Sequence, residues 1–474
     1  MSIRLIRPIR PIRVPSPVRQ FFQHFDTRYL LVGLGMGVLY LIVTPPFRVP
    51  DEPNHFYRAY QVSEGQVLSI KTGDNQCGGD IPRSVVLTVQ DLYKDENAEP
   101  GTKIHPSDII GETDRHLARG RVYFAHFPNT ALYSPLPYGP QLIGIEAAKL
   151  LNLAPILIFY LGRLTNLLTA VLISAYAIRI TPFFGNVFFL IASTPMFIYE
   201  AASVSPDALT NSLSILLTAV ILRYAFAAEV QVRRRDLLLM AVLSAGLGLC
   251  KNVYCVLPLL YFMIPRQRVG SRLKYYIAGV SIFLSGALSS LLWARAIRSI
   301  YVPYRGPATF DEPLQFIFAH PFIFAKMVVA SLLGHFVFYA GSFVGYLGWS
   351  DISLPAPFIV LYLLALVAVA LHLGDQSIQV SRRNKLISAG VAIVGSILVV
   401  VGQFFIGTPT GSTSIDKSQG RYFIPLAALY FILLYNKKLA GRFSRPLINR
   451  FVCGFSAASL LFALWVVVRR YYDL

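Results

Sequence analysis

Apolar runs of roughly 17–25 residues are the length at which a helix crosses a bilayer core. Runs of this kind, some shorter, fall at about 29–43, 156–178, 186–203, 208–227, 237–250, 253–264, 275–294, 357–373, 386–406, 422–435 and 451–468. This pattern predicts an all-α polytopic membrane protein of about 11 transmembrane helices. The basic clusters at Arg233–Arg235, Arg266–Lys274, Arg382–Lys385 and Lys437–Arg450 lie between the runs. The excess of Lys and Arg in cytoplasmic loops therefore sets direction: N-terminus cytoplasmic, C-terminus outside. Arg469 and Arg470 mildly oppose that ending.

Two consequences follow from these directions. The 237–264 run must go out and back as a tight hairpin of short helices, with Lys251, Asn252 and Tyr254 at its outer tip. Residues 321–349 must be re-entrant or interfacial. The chain divides into a basic cytoplasmic arm (1–28), a first transmembrane helix (29–44), a large first extracytoplasmic loop with interfacial helices (45–155), and the remaining bundle (156–474). In the first span, Gly33, Gly35 and Gly37 offer a close-packing face. The polar stretch after it, with Gly101 near its middle, reads as an outside lid over the site. A partly amphipathic helix ending near Leu151 reads as interfacial.

Composition agrees, with 55% hydrophobic and 14% charged residues among 474. The net charge of +19 points to the membrane surface and not to nucleic acid, because the cations sit in short segments between apolar runs. Four cysteines make no disulfide or zinc framework. No phosphate-binding loop, dinucleotide fingerprint or nucleophile elbow occurs, which argues against an ATP-driven pump or a soluble-fold nucleotide-sugar enzyme.

The candidate chemistry starts at Thr44–Tyr60, where Asp51 and Glu52 follow the first span between Pro50 and Pro53, with His55, Tyr57 and Arg58 close behind. The assigned directions bring further polar groups to the same outer face: Arg163, Asp207, Lys251, Asp351, Gln419, Arg421 and Tyr422. Ionisable groups at membrane depth are costly unless paired or hydrated. Each also has a plain structural role open to it. Asp207 in Ser-Pro-Asp suits a helix start, Arg163 reads as a cation snorkelling to the interface, and His55 reads as a loop histidine with no metal-site spacing. Lys251 and Arg421, close together in a low dielectric, call for a common anion, and a lipid phosphate fits. A cation-lined site beside an acid suits glycosyl transfer from a lipid phosphate: a carboxylate deprotonates the incoming hydroxyl while cations stabilise the departing phosphate.

Val49-Pro50-Asp51-Glu52-Pro53, His55-Phe56-Tyr57-Arg58, Ser205-Pro206-Asp207, Lys251-Asn252-Val253-Tyr254, Gly345–Asp351 and Gln419-Gly420-Arg421-Tyr422-Phe423-Ile424-Pro425 together resemble the bacterial membrane-protein family called domain of unknown function 2142. That family in turn resembles the GT-C superfamily of integral-membrane glycosyltransferases. The resemblance implies a GT-C-like fold and a polyprenyl-phosphate sugar donor. It also implies a glycan or lipid-linked acceptor, and an inverting transfer at the outer side of the bacterial inner membrane. It implies that Asp51 matches the catalytic base, with adjacent Glu52 as the alternative, and that Asp207 matches the second acidic position. Lys251, Arg421 and Arg58 are the expected phosphate ligands. No cofactor is required, with a divalent metal left as the alternative. A transporter or flippase, a polymerase or ligase of lipid-linked glycans, and a scaffold are the competing classes.

Overall fold

A computed structural model describes residues 25–73, 75–93, 101–228, 230–303, 308–372, 378–409, 411–415, 418–441 and 443–473. The basic arm expected before residue 25 therefore lies outside the described residues. The architecture is helical. Helix α1 (Phe25–Val43) leads through a short loop to α2 (Glu52–Ser63), then to a small antiparallel sheet, β1 (Ile70–Thr72), β2 (Gln76–Pro82) and β3 (Val122–His126), in spatial order β1-β2-β3. This sheet and helix α3 (Arg83–Leu92) give the first loop a packed core of its own around Cys77, Ile81, Val85 and Val89.

Beyond it come α4 (Gly139–Leu150), α5 (Pro155–Ile180), the pair α6 (Gly185–Ala192) and α7 (Pro195–Ala201), α8 (Asp207–Phe226) and α9 (Arg234–Cys250). Then follow a 3₁₀ helix over Asn252–Met263, α10 (Arg272–Ile297), α11 (Glu312–Ala319), α12 (Pro321–Gly334) and α13 (Phe336–Val344). A small hairpin pairs β4 (Tyr346–Leu347) with β5 (Ile352–Ser353), and the chain ends in α14 (Ala356–His372), α15 (Arg382–Gly407), a 3₁₀ turn over Gly420–Leu426, α16 (Ala427–Leu434) and α17 (Arg445–Tyr471).

Six described helices are long and apolar enough to cross a membrane: α1, α5, α8, α10 with its 3₁₀ extension, α15 and α17. Counting the bent pair α11–α12 as one span makes up to seven. That pair turns by 106° between Ala319 and Pro321, the geometry of a broken span or of a re-entrant loop, at the edge of the 321–349 stretch expected to be re-entrant or interfacial. Helix α4 has 12 residues, about 18 Å at 1.5 Å each, too short to span; it lies against α5 with Ile143 and Leu150 exposed. The expected outward hairpin is α9 followed by the 12-residue 3₁₀ helix, which contains Pro258. A 3₁₀ helix rises about 2.0 Å per residue, so this short segment reaches roughly 24 Å and returns the chain nearly as far as α9 carried it.

Helix α8 is the most deeply buried of the six long apolar helices. Helix α1 packs on α5 through Gly33 and Gly37: an added Cβ would meet Val171 at 3.1 Å and Leu167 at 2.4 Å. Gly35 points outward with nothing within 4 Å, so the close-packing face uses two of its three glycines.

Interactions between loops define the two ends of the bundle. At one end the basic segments bond to one another: Val232 N–H donates to the Arg268 carbonyl, Arg383 Nη2 to the Phe262 carbonyl at 3.0 Å, and Lys385 Nζ to the Leu433 and Tyr435 carbonyls. At the other end Tyr472 Oη donates to the Val43 carbonyl, Ile104 N–H to the Tyr471 carbonyl and Lys103 Nζ to the Arg469 carbonyl. The end of α1, the first loop and the end of α17 thus share one side. The late cations that opposed this ending have partners: Arg470 pairs with Asp351 at 3.1 Å, and Arg469 covers the Trp465 ring.

The exposed 105–108 segment offers a direct topology test; Gly101 itself has φ +80° and accepts a side chain poorly. Ser107→Cys should react with a membrane-impermeant maleimide in intact spheroplasts. Labelling only after lysis would reverse the assigned direction.

Candidate functional site

The loop between α1 and α2 is held by a buried ion pair. Arg163, about two turns into α5, is 0% exposed, as is Glu52, the first residue of α2. Arg163 Nε donates to Glu52 Oε1 at 2.9 Å and Nη2 to Oε2 at 2.6 Å, a two-pronged fit of guanidinium to carboxylate. The remaining donors go to the Leu41, Thr44 and Pro45 carbonyls, which close the end of α1, and Val204 N–H donates to Glu52 Oε1. Arg163 therefore does not snorkel to the interface. Its charge is balanced by a carboxylate 111 residues away in sequence, and the Phe159 ring covers it at 4.4 Å. Glu52 is committed to this clamp.

Asp51, one residue earlier, is disposed differently. It is half-buried and adopts left-handed φ 59°, ψ 10° as the residue before α2, a conformation that Asp tolerates better than most non-glycine residues. Asn129 Nδ2 donates to Asp51 Oδ1 at 2.7 Å, while Asn129 Oδ1 accepts from Asn54 Nδ2 at 2.7 Å. The first loop thus returns to orient the carboxylate through a residue that sequence reasoning did not single out.

A second cluster forms where α7, α8, the end of α9 and the late 3₁₀ turn meet. Lys251 Nζ donates to Asp207 Oδ1 at 2.7 Å; Arg421 Nε lies 3.7 Å from Asp207 Oδ2, and Arg421 Nη1 pairs with Glu200 Oε1. Tyr422 presents its ring to both cations, 3.9 Å from Lys251 Nζ and 5.2 Å from the Arg421 guanidinium. The anion that two adjacent cations require is supplied by the protein, as Asp207 and Glu200, so their proximity does not by itself call for a lipid phosphate. Asp207 does not cap its helix with its side chain; its own N–H donates to Ser205 Oγ. Glu200 is 0% exposed and was missed. Its signal was present, since it is the only acid in the apolar run 186–203. Asn166 and Gln141 pin the Ser203–Ser205 backbone beside it. At Gly420 an added Cβ would stand 2.0 Å from the Tyr339 carbonyl oxygen. That close approach to α13 lets the 3₁₀ turn after Gln419 seat Arg421; Gln419 itself contributes its carbonyl, which accepts from Tyr422 N–H.

Between the two groups sits an aromatic wall. His55 Nδ1 shares a 2.8 Å hydrogen bond with Tyr138 Oη, and Tyr133 meets the His55 ring edge-on. Burial pushes the Tyr138 phenol far up; Arg58 opposes this, while the Asp207 and Asp51 carboxylates add to it. Burial likewise pushes the His55 imidazole down to about 3, against the pull of Asp207 and with the help of Arg421 and Lys251. A depressed histidine contributes stability that is complete above its free value of 6.5 and is lost as pH falls from there toward 3, by up to about 1.4 kcal/mol per pH unit. Lowering pH from 7.5 to 5 should therefore destabilise the wild type more than His55→Gln. Equal losses in the two unfolding midpoints would contradict the buried neutral ring.

Arg58, expected as a phosphate ligand, is 0% exposed. It donates to Gln61 Oε1 and to the Gln66, Val67 and Tyr133 carbonyls, so it ties α2 to the first loop. Tyr57 is buried against Phe127. Asp351, paired with Arg470, lies in the hairpin turn beside Tyr471. Among the described residues no three His, Cys, Asp or Glu side chains gather where they could hold a metal ion. A cavity of about 500 Å³ is found at the basic end, lined by Asn186, His372 and Arg445 among others, and not beside Lys251. The ion pairs, not the cavity volume, locate the candidate site, because charges buried at membrane depth are the more demanding feature.

Helical spans with a polar, ion-paired end define a polytopic membrane protein. The chain belongs to the family described as a predicted membrane protein, DUF2142, whose model matches residues 34–430 and so takes in both ion-paired groups. Neither a curated protein nor a solved structure matches it.

Proposed function

We propose that the protein is a GT-C-type glycosyltransferase. It moves a sugar from a polyprenyl-phosphate donor to a glycan or lipid acceptor of the cell envelope, at the outer face of a bacterial cytoplasmic membrane. Eleven crossings complete this reading, with α6–α7, α9, the long 3₁₀ helix, α14 and the Gly420–Leu434 segment filling the apolar runs that lack a long helix. The observation that carries it is one end of the bundle holding an oriented, partly accessible carboxylate, Asp51, together with the Lys251–Asp207–Arg421–Glu200 cluster.

In the reaction Asp51 takes the proton of the acceptor hydroxyl, whose oxygen attacks the anomeric carbon. The carbon–oxygen bond to the donor phosphate breaks, its electron pair passes to the phosphate oxygen, and the configuration inverts. With Glu52 committed to Arg163, Asp51 is the acid left for the role of base. Lys251 and Arg421 neutralise the departing phosphate by exchanging part of their pairing with Asp207 for a phosphate oxygen. The mutual acid pairing keeps both cations poised without donor.

The test uses one balanced double substitution and one charge-conserving substitution, so that no buried ion is left without a counter-charge. Lys251→Met with Asp207→Asn should weaken the apparent affinity for a short-chain polyprenyl-phosphate sugar about tenfold, the worth of one charge-assisted hydrogen bond. Arg421→Lys should also lose turnover, because the planar fork is gone. Unchanged affinity and turnover in both variants would remove the cluster from the donor site.

A further inference from the structure

The cavity at the basic end stands apart from the acid–cation cluster and belongs to none of the chemistry above. It is bounded by the starts of α6 and α17, the ends of α5 and α14, and Phe25 of α1. Among the described residues that line it there is no Asp or Glu, whereas Arg445 contributes a cation. Neither α6 nor α17 has a side-chain cap on its first turn. The early amides at Gly185, Asn186 and Arg445 therefore stand at the wall with the positive ends of two helices.

Two further polar groups sharpen the picture. Asn186 Oδ1 and His372 Nδ1 are shut from solvent and have no partner among the described residues. The His372 ring is fixed edge-on to Phe443 at 5.5 Å. Both atoms are closed to water, so they back the wall and leave Arg445 and Asn449 as the polar side chains a ligand would meet. Thr181 and Asn449 are also polar, and an apolar flank is formed by Phe25, Phe184 and Phe443. Its size falls within the usual range for organic ligands and exceeds what a bare phosphate fills.

We propose that this cavity binds an anionic phosphate ester, the headgroup of a lipid in the adjoining leaflet. Arg445 and Asn449 meet the phosphate, and the aromatic wall meets the glycerol and upper acyl carbons. The neighbouring Arg and Lys clusters would concentrate such lipids at this end.

The full chain, purified in a neutral detergent, should retain added phosphatidylglycerol in native mass spectrometry and gain thermal stability from it, and phosphatidylcholine should do neither. Arg445→Gln should weaken phosphatidylglycerol binding about tenfold, the effect of one charge-assisted contact. Asn449→Leu, similar in size, gives the same reading if Arg445→Gln folds poorly. A stabilising shift from millimolar inorganic phosphate that Arg445→Gln or Asn449→Leu abolishes would support the phosphate site and assign it a soluble ester. Equal phosphatidylglycerol retention by the wild type and both variants would overturn the proposal. No outcome depends on transferase activity, so the proposal stands or falls separately from the function above.

Discussion

Asp51→Asn is expected to abolish measurable sugar transfer while leaving the unfolding midpoint close to that of the wild type. Loss of a general base typically lowers rate by about 10²–10⁴-fold. The stability half of the expectation rests on geometry. Asn accepts the left-handed conformation at φ 59° as readily as Asp, and its amide oxygen can still accept from Asn129 Nδ2. Only the charge and the basic oxygen disappear, so the change in stability should stay within about 0.5 kcal/mol, as at other half-exposed positions. Steady-state transfer and thermal unfolding measured on the same preparation check both halves. Full turnover by Asp51→Asn would remove the proposed base.

The neighbouring position should behave in the opposite way. Glu52→Gln leaves Arg163, 0% exposed, without its counter-charge and weakens the contact to Val204 N–H. Breaking one side of a buried pair costs about 3–5 kcal/mol, because the remaining ion stays desolvated. Arg163→Met should be at least as harmful, since it also strands the Leu41, Thr44 and Pro45 carbonyls. The expected result is a large fall in the unfolding midpoint in mixed micelles and poor expression, with any loss of activity following loss of fold. A Glu52→Gln protein as stable as the wild type, yet inactive, would move the catalytic role to Glu52 and contradict the clamp. Two adjacent acids, one reachable and one sealed, thus separate by opposite phenotypes.

Much of this arrangement was legible in the chain because a bilayer leaves few options. Apolar length and basic clusters sufficed to bring Asp51, Asp207, Lys251 and Arg421 to one end. What stayed illegible were pairings between distant segments. Arg163 near a helix start looks the same whether it snorkels or binds Glu52, because nothing local marks a partner 111 residues away. Arg58 likewise looked available for a phosphate, whereas three backbone carbonyls and a glutamine take its donors. Asn129 has no local mark in the first loop, and only the return of that loop onto α2 gives it a role. Glu200 was readable in principle, as a lone acid in an apolar run. Unlike Asp51 and Asp207, it has no proline or cation beside it in sequence to mark a site. Small-residue spacing also resolved only in three dimensions: Gly33 and Gly37, four apart, share a helix face that Gly35 does not.

The central claim, that a lipid-linked sugar is consumed here, is tested most directly by incubating the purified full chain in liposomes with a panel of polyprenyl-phosphate sugars and an added mixture of cell-envelope lipids and glycans as acceptors, and following hydrolysis and transfer products by mass spectrometry. The account predicts that at least one donor loses its sugar and yields free polyprenyl phosphate with the wild type, and that Asp51→Asn leaves the same donor intact. Undiminished donors across the panel with protein that is folded, or equal consumption by wild type and Asp51→Asn, would contradict it.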